Sequence, residues 1–180
     1  MDKKISLESL LASRDERVRR QEEILGLFPG KTLICMTVIL PGEVKRNSMS
    51  LKIAAAAEEA LGKVFTPVFK ESRDLDTGYE CYLVVDIPAT EAKQLCCDIE
   101  DGHPLGRMMD IDVVVPWGGE ERAEGAEGGG AARPLSRREA GRAQRLCLLC
   151  GRPARECIRT RRHSPEALLR RISELIYRNI

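Results

Sequence analysis

The residues with chemistry in them lie close together, in the run His103-Pro104-Leu105-Gly106-Arg107-Met108-Met109-Asp110-Ile111-Asp112-Val113. Asp110 and Asp112 are separated by one apolar residue and lead into Val113-Val114-Val115, the pattern of a buried strand. On an extended chain residues i and i+2 project together, so the two carboxylates share a face while Ile111 takes the other. Like charges held that close repel unless a cation or a shared proton lies between them. Mg²⁺ suits the place, because it takes carboxylate oxygens and leaves positions open for phosphate. Arg107, just upstream, can grip a phosphate oxygen with its guanidinium fork. So read, the run is a metal-dependent phosphoryl or nucleotidyl transfer site. Spacing alone leaves a second reading standing, a strand end whose aspartates are solvated or bonded to backbone amides, since Asp-x-Asp is a weak pattern.

A second constellation is Cys147, Cys150, Cys157 and His163, spaced C-x₂-C-x₆-C-x₅-H. The first pair has the tight spacing that tetrahedral Zn²⁺ favours, and a further thiolate with an imidazole would close the shell. Four protein ligands leave no open position, so such a zinc is structural and fixes the arginine-rich loop before His163. The alternative is a set of buried free thiols beside an exposed histidine. Cys35, Cys81, Cys96 and Cys97 fall in expected strands or a helix and read as core or surface filler. With seven cysteines and no apolar leader after Met1, the thiols are expected to be reduced, and cytoplasmic residence is the default.

The elements that must position these groups follow from periodicity. A helix is expected from about Ser6 to Leu25, with Leu7, Leu10, Leu11, Val18 and Leu25 for a buried stripe and Arg14 and Arg17 on one face. Thr32 to Leu40 reads as a buried strand ended by Pro41-Gly42. The Ala-rich stretch from Met49 to Leu61 reads as a helix stopped by Gly62. Strands are expected at 63–69 and 79–86 around a turn from Asp74 to Gly78, then a short helix from Pro88 to Cys97. A last strand runs from Asp110 to Val115. The chain then divides into an α+β (or mixed α/β) catalytic core at 1–117, a flexible Gly/Glu-rich linker or loop at 118–134, and a basic Cys-rich segment with a C-terminal helix at 135–180. Ser164 caps that helix, with Pro165 at its first position. The expected architecture is one domain, a central sheet flanked by helices.

Composition fits a soluble globular chain of 180 residues, 43% hydrophobic and 32% charged. Its net charge of +1 conceals an asymmetry: Arg133 onward carries thirteen arginines and four glutamates, +9, which leaves −8 on the rest. A basic tail on an acidic body points to an anionic partner.

Several blocks resemble one enzyme family, in family order from about Ser13 to about Leu169. They are Ser13-Arg14-Asp15-Glu16-Arg17, Pro41-Gly42-Glu43-Val44-Lys45, His103 through Arg107, Asp110-Ile111-Asp112-Val113, Arg145-Leu146-Cys147-Leu148-Leu149-Cys150 through Cys157, and Arg159-Thr160-Arg161-Arg162-His163-Ser164. The ordered set resembles apo-citrate lyase phosphoribosyl-dephospho-CoA transferase, the holo-citrate lyase acyl carrier protein synthase family. Met108-Met109 departs from the bulky or aromatic residue expected there.

The resemblance implies a nucleotidyltransferase-type enzyme. Its donor is 2′-(5″-triphosphoribosyl)-3′-dephospho-CoA, its acceptor a serine of the citrate lyase acyl carrier (gamma) subunit, and pyrophosphate leaves. Asp110 and Asp112 would hold Mg²⁺. Arg107 would grip the triphosphate, with Arg14, Arg17 and Lys45 brought in from elsewhere and Gly106 in the binding loop. A metal-held carboxylate, Glu100 or His103 would take the serine proton. The basic tail, Arg159, Arg161 and Arg162 included, would dock the acidic carrier or bind the donor. For Arg14 and Arg17, ordinary ion pairs within the helix stand as the alternative, and for Gly106 a turn with positive φ.

Two rival classes dispense with catalysis: a zinc-knuckle module on nucleic acid, and a carrier-protein chaperone. Against the first, the basic region has no aromatic residue for base stacking before Tyr177, and aromatics are only 4% of the chain. No apolar run suggests a membrane span.

Overall fold

A computed structural model of the chain describes residues 3–116 and 132–179. Most of the stretch expected to be a linker therefore lies outside the described residues. Its last three residues do not: Ala132–Pro134 form a short strand.

The elements run α1 (Leu7–Leu27), β1 (Thr32–Val38), α2 (Ser48–Val64), β2 (Phe69–Leu75), β3 (Gly78–Val85), α3 (Ala89–Gly102), a 3₁₀ turn at Gly106–Met108, β4 (Met109–Pro116), β5 (Ala132–Pro134), α4 (Ala154–Arg159) and α5 (Pro165–Asn179). All strand pairs are antiparallel, in the order β2-β3-β1-β4-β5. Strands β1 to β4 with α2 and α3 thus form a β-α-β-β-α-β plait in which each helix crosses over one intervening strand. The fold is α+β, a single sheet with helices on both faces.

One face carries the main core. Ile34 and Met36 of β1, Leu83 of β3 and Met109, Ile111 and Val113 of β4 pack there against Ile53 and Leu61 of α2, Cys96 of α3 and Ile172 and Ile176 of α5. Leu135 joins the same cluster, so the C-terminal segment adds Leu135, Ile172 and Ile176 to the core that the first 116 residues build. Met108 and Met109 are buried filler there, unbranched side chains that adapt to an irregular gap. The other face is covered by α1, whose Ile24 meets Leu33, Cys35, Tyr82, Val84 and Val114.

Three sequence expectations are corrected. The stripe expected on α1 is largely solvated: Leu7, Leu11 and Val18 are exposed, and Ile24 is the residue that anchors the helix. Gly62 does not stop α2, which continues to Val64, because an interior glycine costs only about 1 kcal/mol and α2 packs on the sheet. The strand expected at 63–69 is displaced to 69–75, an edge strand of alternating half-buried and exposed residues whose sequence, Phe-Lys-Glu-Ser-Arg-Asp-Leu, hides its period behind charge. The remaining expected elements form, α3 running on to Gly102. Ser164 caps α5 by accepting from the Ala167 amide at 3.2 Å.

Candidate active site at the open edge of β4

Asp110 and Asp112 alternate with the buried Met109, Ile111 and Val113, so both project to the α1 face. Strand register places Thr37 opposite Asp110 and Cys35 opposite Asp112, with Glu80 and Tyr82 one strand further on. The pair therefore stands on a rigid inner strand.

The outer edge of β4 is unusual. Among the described residues β5 pairs only with Val114 to Pro116, and no other strand neighbours the backbone around Ile111 on that side. Buried backbone groups must still find partners, and charged side chains supply them. The Ile111 amide donates to Glu100 (2.8 Å), Lys93 donates to the Ile111 carbonyl (3.1 Å), and Arg145 donates to the Met109 carbonyl (3.1 Å). The same cations continue past the strand edge to the aspartates. Lys93 Nζ lies 3.2 Å from Asp112 Oδ1, and Arg145 lies 3.1 Å from Asp110 Oδ1. One oxygen of each aspartate is thereby held by a cation, and the second has no hydrogen-bond partner among the described residues.

Glu100 is the hub. It is 2% exposed and accepts from Arg137 (2.6 Å), from Arg145 and from the Ile111 amide. Burial pushes its carboxyl above the usual glutamate range, against the pull of Arg145 and that amide. Asp112 is likewise pushed up, by burial first and then by the charge of Asp110, with Lys93 opposing.

Arg107 is the exception in this network. Its Nε is buried with no hydrogen-bond partner. Burial and then the charge of Arg145 disfavour its protonated form, with Glu100 and Asp101 opposing. A guanidinium with a free Nε in this mixed surround of cations and carboxylates is suited to receiving an anion. Gly106 in front of it has ordinary negative φ, which corrects the positive-φ reading. Its hydrogen is required because a Cβ there would stand 2.3 Å from the Glu100 carbonyl oxygen.

Arg14 and Lys45 are brought together, and Arg14 with burial lowers the lysine's proton affinity. Lys45 Nζ donates to the Leu40 carbonyl at 2.6 Å. The Ile39 amide bonds the Met108 carbonyl at 2.9 Å, so this corner of the sheet adjoins the start of β4. Arg17 has another occupation: its Nε donates to the buried Glu80 at 2.9 Å, and Tyr82 donates to the second Glu80 oxygen at 2.6 Å. That ion pair spans two elements, unlike the intrahelical pairs weighed from the sequence. His103 is not brought to the aspartates. Its Nδ1 accepts from the Leu105 amide, and the ring shares a cleft with Glu59 and Lys63 of α2.

The sequence reading missed Lys93, Arg137 and the role of Arg145. A lysine amid the buried positions of an amphipathic helix was the one available signal.

The Cys and His residues converge as spaced. Their four ligand atoms lie within 4.8 Å of one another, with Cys150 Sγ 3.5 Å from Cys157 Sγ and 3.3 Å from His163 Nε2. The cluster can hold a metal ion. Gly151, at φ +69°, makes the turn that lets Cys147 and Cys150 face one centre. Cys35, Cys81, Cys96 and Cys97 are buried in the core. Arg159, Arg161 and Arg162 are exposed and have no side-chain partner among the described residues.

An acidic pair on β4 thus stands among cations on an α+β plait. Residues 5–179 match the family described as apo-citrate lyase phosphoribosyl-dephospho-CoA transferase. A probable apo-citrate lyase phosphoribosyl-dephospho-CoA transferase of Vibrio cholerae is 35% identical, over 98% of this chain and 94% of its own length. One of Streptococcus pyogenes is 32% identical, over 96% and 86%. "Protein CitXG" of Haemophilus influenzae is 35% identical over 96% of this chain, which spans 35% of that longer protein. The chain belongs to the apo-citrate lyase phosphoribosyl-dephospho-CoA transferase family, a family of transferases. No described helix is long and apolar enough to cross a membrane.

Proposed function

We propose that the protein transfers the phosphoribosyl-dephospho-CoA group from its triphosphoribosyl precursor to a serine of the citrate lyase acyl carrier subunit. A bond forms between the serine oxygen and the phosphorus next to the ribose. The bond from that phosphorus to the leaving pyrophosphate breaks, and the serine proton passes to a base. The observation that carries the reading is the aspartate pair, each member held by a cation at one oxygen while the other oxygen has no partner among the described residues, with the half-buried Arg107 three residues before Asp110 presenting an Nε that has no hydrogen-bond partner.

Each part of the reaction has a residue suited to it. Arg107 neutralises phosphate charge, and the adjoining Arg14 and Lys45 extend the cationic surface along the triphosphate. Asp110 and Asp112 fit Mg²⁺, since each offers one oxygen not held by a cation; the bound ion would supply charge neutralisation at the phosphates. For the serine proton, Glu100 is already saturated by three donors and His103 faces α2. That favours the aspartate pair, with Asp112, its proton affinity raised by burial and Asp110, the better base.

The Cys/His cluster suits Zn²⁺, because three thiolates and an imidazole match its preference and leave no open position for substrate. Arg159, Arg161 and Arg162, exposed and without partners among the described residues, suit an acidic carrier surface.

The test is the intact mass of apo-citrate lyase carrier subunit after incubation with this protein, Mg²⁺ and the triphosphoribosyl donor. A mass gain equal to the phosphoribosyl-dephospho-CoA group is expected. An unmodified carrier, with donor and fold verified, would remove the proposal.

A further inference from the structure

The Cys/His cluster and the reactive pair are joined through one short piece of chain. Arg145, which reaches Glu100, Asp110 and the Met109 carbonyl, stands two residues before Cys147. Its own carbonyl accepts from the Ala154 amide (2.9 Å), and the Cys147 amide donates to the Arg152 carbonyl (2.6 Å). Leu146 and Pro153 form the β-bridge between these bonds. The segment carrying Arg145 is thus one arm of a small hairpin whose turn holds Cys147 and Cys150. Cys157 on α4 and His163 close the same cluster from the other arm.

Apart from the bonds of Arg145 itself, little among the described residues holds that hairpin. It packs few apolar residues: Leu148 rests partly buried against the main core, Leu146, Leu149 and Ile158 are exposed, and Cys157 is the one residue between Leu146 and His163 counted in the buried core. Without a metal its arms rest on a few backbone bonds and the weak contacts between thiols. Zn–S bonds of about 2.3 Å in a tetrahedral shell set sulfurs roughly 3.8 Å apart. The observed separation of 3.5 Å between Cys150 and Cys157 needs little adjustment to reach that shell.

We infer that this cluster is a metal clamp that seats Arg145 across the open edge of β4, so that zinc loading completes the active site. Arg145 is then a positioning residue. It holds one oxygen of Asp110, saturates Glu100 and satisfies a strand carbonyl that no strand among the described residues reaches. The inference rests on reading Asp110 and Asp112 as the reactive pair, but its structural half stands apart from any reaction.

The experiment uses the full chain and two readouts, transfer to the carrier and hydrogen exchange over residues 109–113. Protein purified without chelator should carry one zinc per chain. Stripping it with a chelator should raise exchange over 109–113 and lower turnover together, and added zinc should restore both. Arg145→Gln should keep its zinc, show the same faster exchange and lose roughly ten- to a hundredfold in kcat with little change in KM. Arg145→Lys should recover part of the loss. Cys150→Ser removes the exposed ligand; combined with Arg145→Gln, it should lose no more activity than the single arginine variant. Zinc-free protein that keeps slow exchange over 109–113 would overturn the coupling, and so would wild-type protein that binds no zinc. If zinc controls the exchange while wild-type protein modifies no carrier, the clamp stands and the transferase reading falls.

Discussion

Glu80 and Glu100 are both buried glutamates held by arginines, one on each side of the aspartate pair, and their surroundings differ in kind. Glu80 takes one bond from Arg17 and one from Tyr82, and its partners have no further business in the site. Glu100 takes Arg137, Arg145 and a strand amide, and Arg145 then goes on to Asp110. Beside it lies Arg107 with a bare Nε. The first network is closed, and a closed buried pair does little beyond fixing α1 to the sheet. The second is left open at both signs, with an unpaired cation and carboxylate oxygens facing out. The buried Arg107 Nε is the one buried side-chain polar atom among the described residues without a partner, and a buried donor of that kind calls for a ligand or water to complete it.

The strongest way to break this contrast is at the open network itself. Asp110→Asn and Asp112→Asn each remove a charge while keeping the shape. Transfer should fall by roughly two to three orders of magnitude in either variant, with the thermal transition retained. Carrier mass over a time course, alongside a melting curve, checks it. Wild-type-like turnover by either variant would sink the metal-site proposal.

Next in size is the paired substitution of the two glutamates. Glu80→Gln and Glu100→Gln each leave arginines in a buried site without their full counter-charge, a loss of roughly 3–5 kcal/mol. Denaturant unfolding should report a loss of that order for both. Turnover per folded molecule should separate them: Glu100→Gln loosens Arg145 and lowers it, whereas Glu80→Gln leaves it near wild type. Equal activity losses would mean that the two networks act as one.

Acid sharpens the contrast further. Asp112 is pushed above the ordinary aspartate value by burial and by Asp110. Between that value and its raised one, the folded protein holds a proton the unfolded chain has released. Falling pH therefore stabilises this site while removing the ionised form that the reaction needs. Glu58 runs the other way. Against burial, bonds from Lys70, Ser72 and Tyr79 hold it down to about 2, so its stabilisation is present above about 4.5 and fades as pH falls toward 2. Transfer should thus decline on acidification before the fold does. A pH–rate profile beside melting temperatures at the same pH values tests the order, and Glu58→Gln should flatten only the melting curve.

What could be read from the sequence was what lies close along the chain. Asp-x-Asp on a strand, Cys-x₂-Cys with its two later ligands and the Ser164 cap are all local patterns, and each folds as its spacing requires. The partners that give those groups their chemistry are remote. Arg145 and Glu100 are 45 residues apart, Arg17 and Glu80 are 63 apart, and Lys93 meets Asp112 only because α3 crosses over to β4's open edge. No periodicity announces such pairs. β2 escaped for a different reason: an edge strand need not be apolar on either face, and its charges pair with its neighbours, as Arg20 does with Glu71.

The smallest expected effect is also the cleanest probe of where the site ends. Tyr82 stands in the same cross-strand row as Cys35 and Asp112, so proximity alone makes its hydroxyl a plausible member of the reactive group. Its bond, however, goes to Glu80, and burial and that carboxylate both push its proton affinity far above the neutral range. A phenol so placed gives up no proton during turnover. Tyr82→Phe should cost roughly 1.5–3 kcal/mol, the worth of one hydrogen bond to a buried charged group, Arg17 still holding the other Glu80 oxygen. Its transfer rate should match wild type across the pH range. A rate loss approaching that of Asp112→Asn would move the boundary of the active site one strand further, across β1, and make the α1 face of the sheet a single reactive surface.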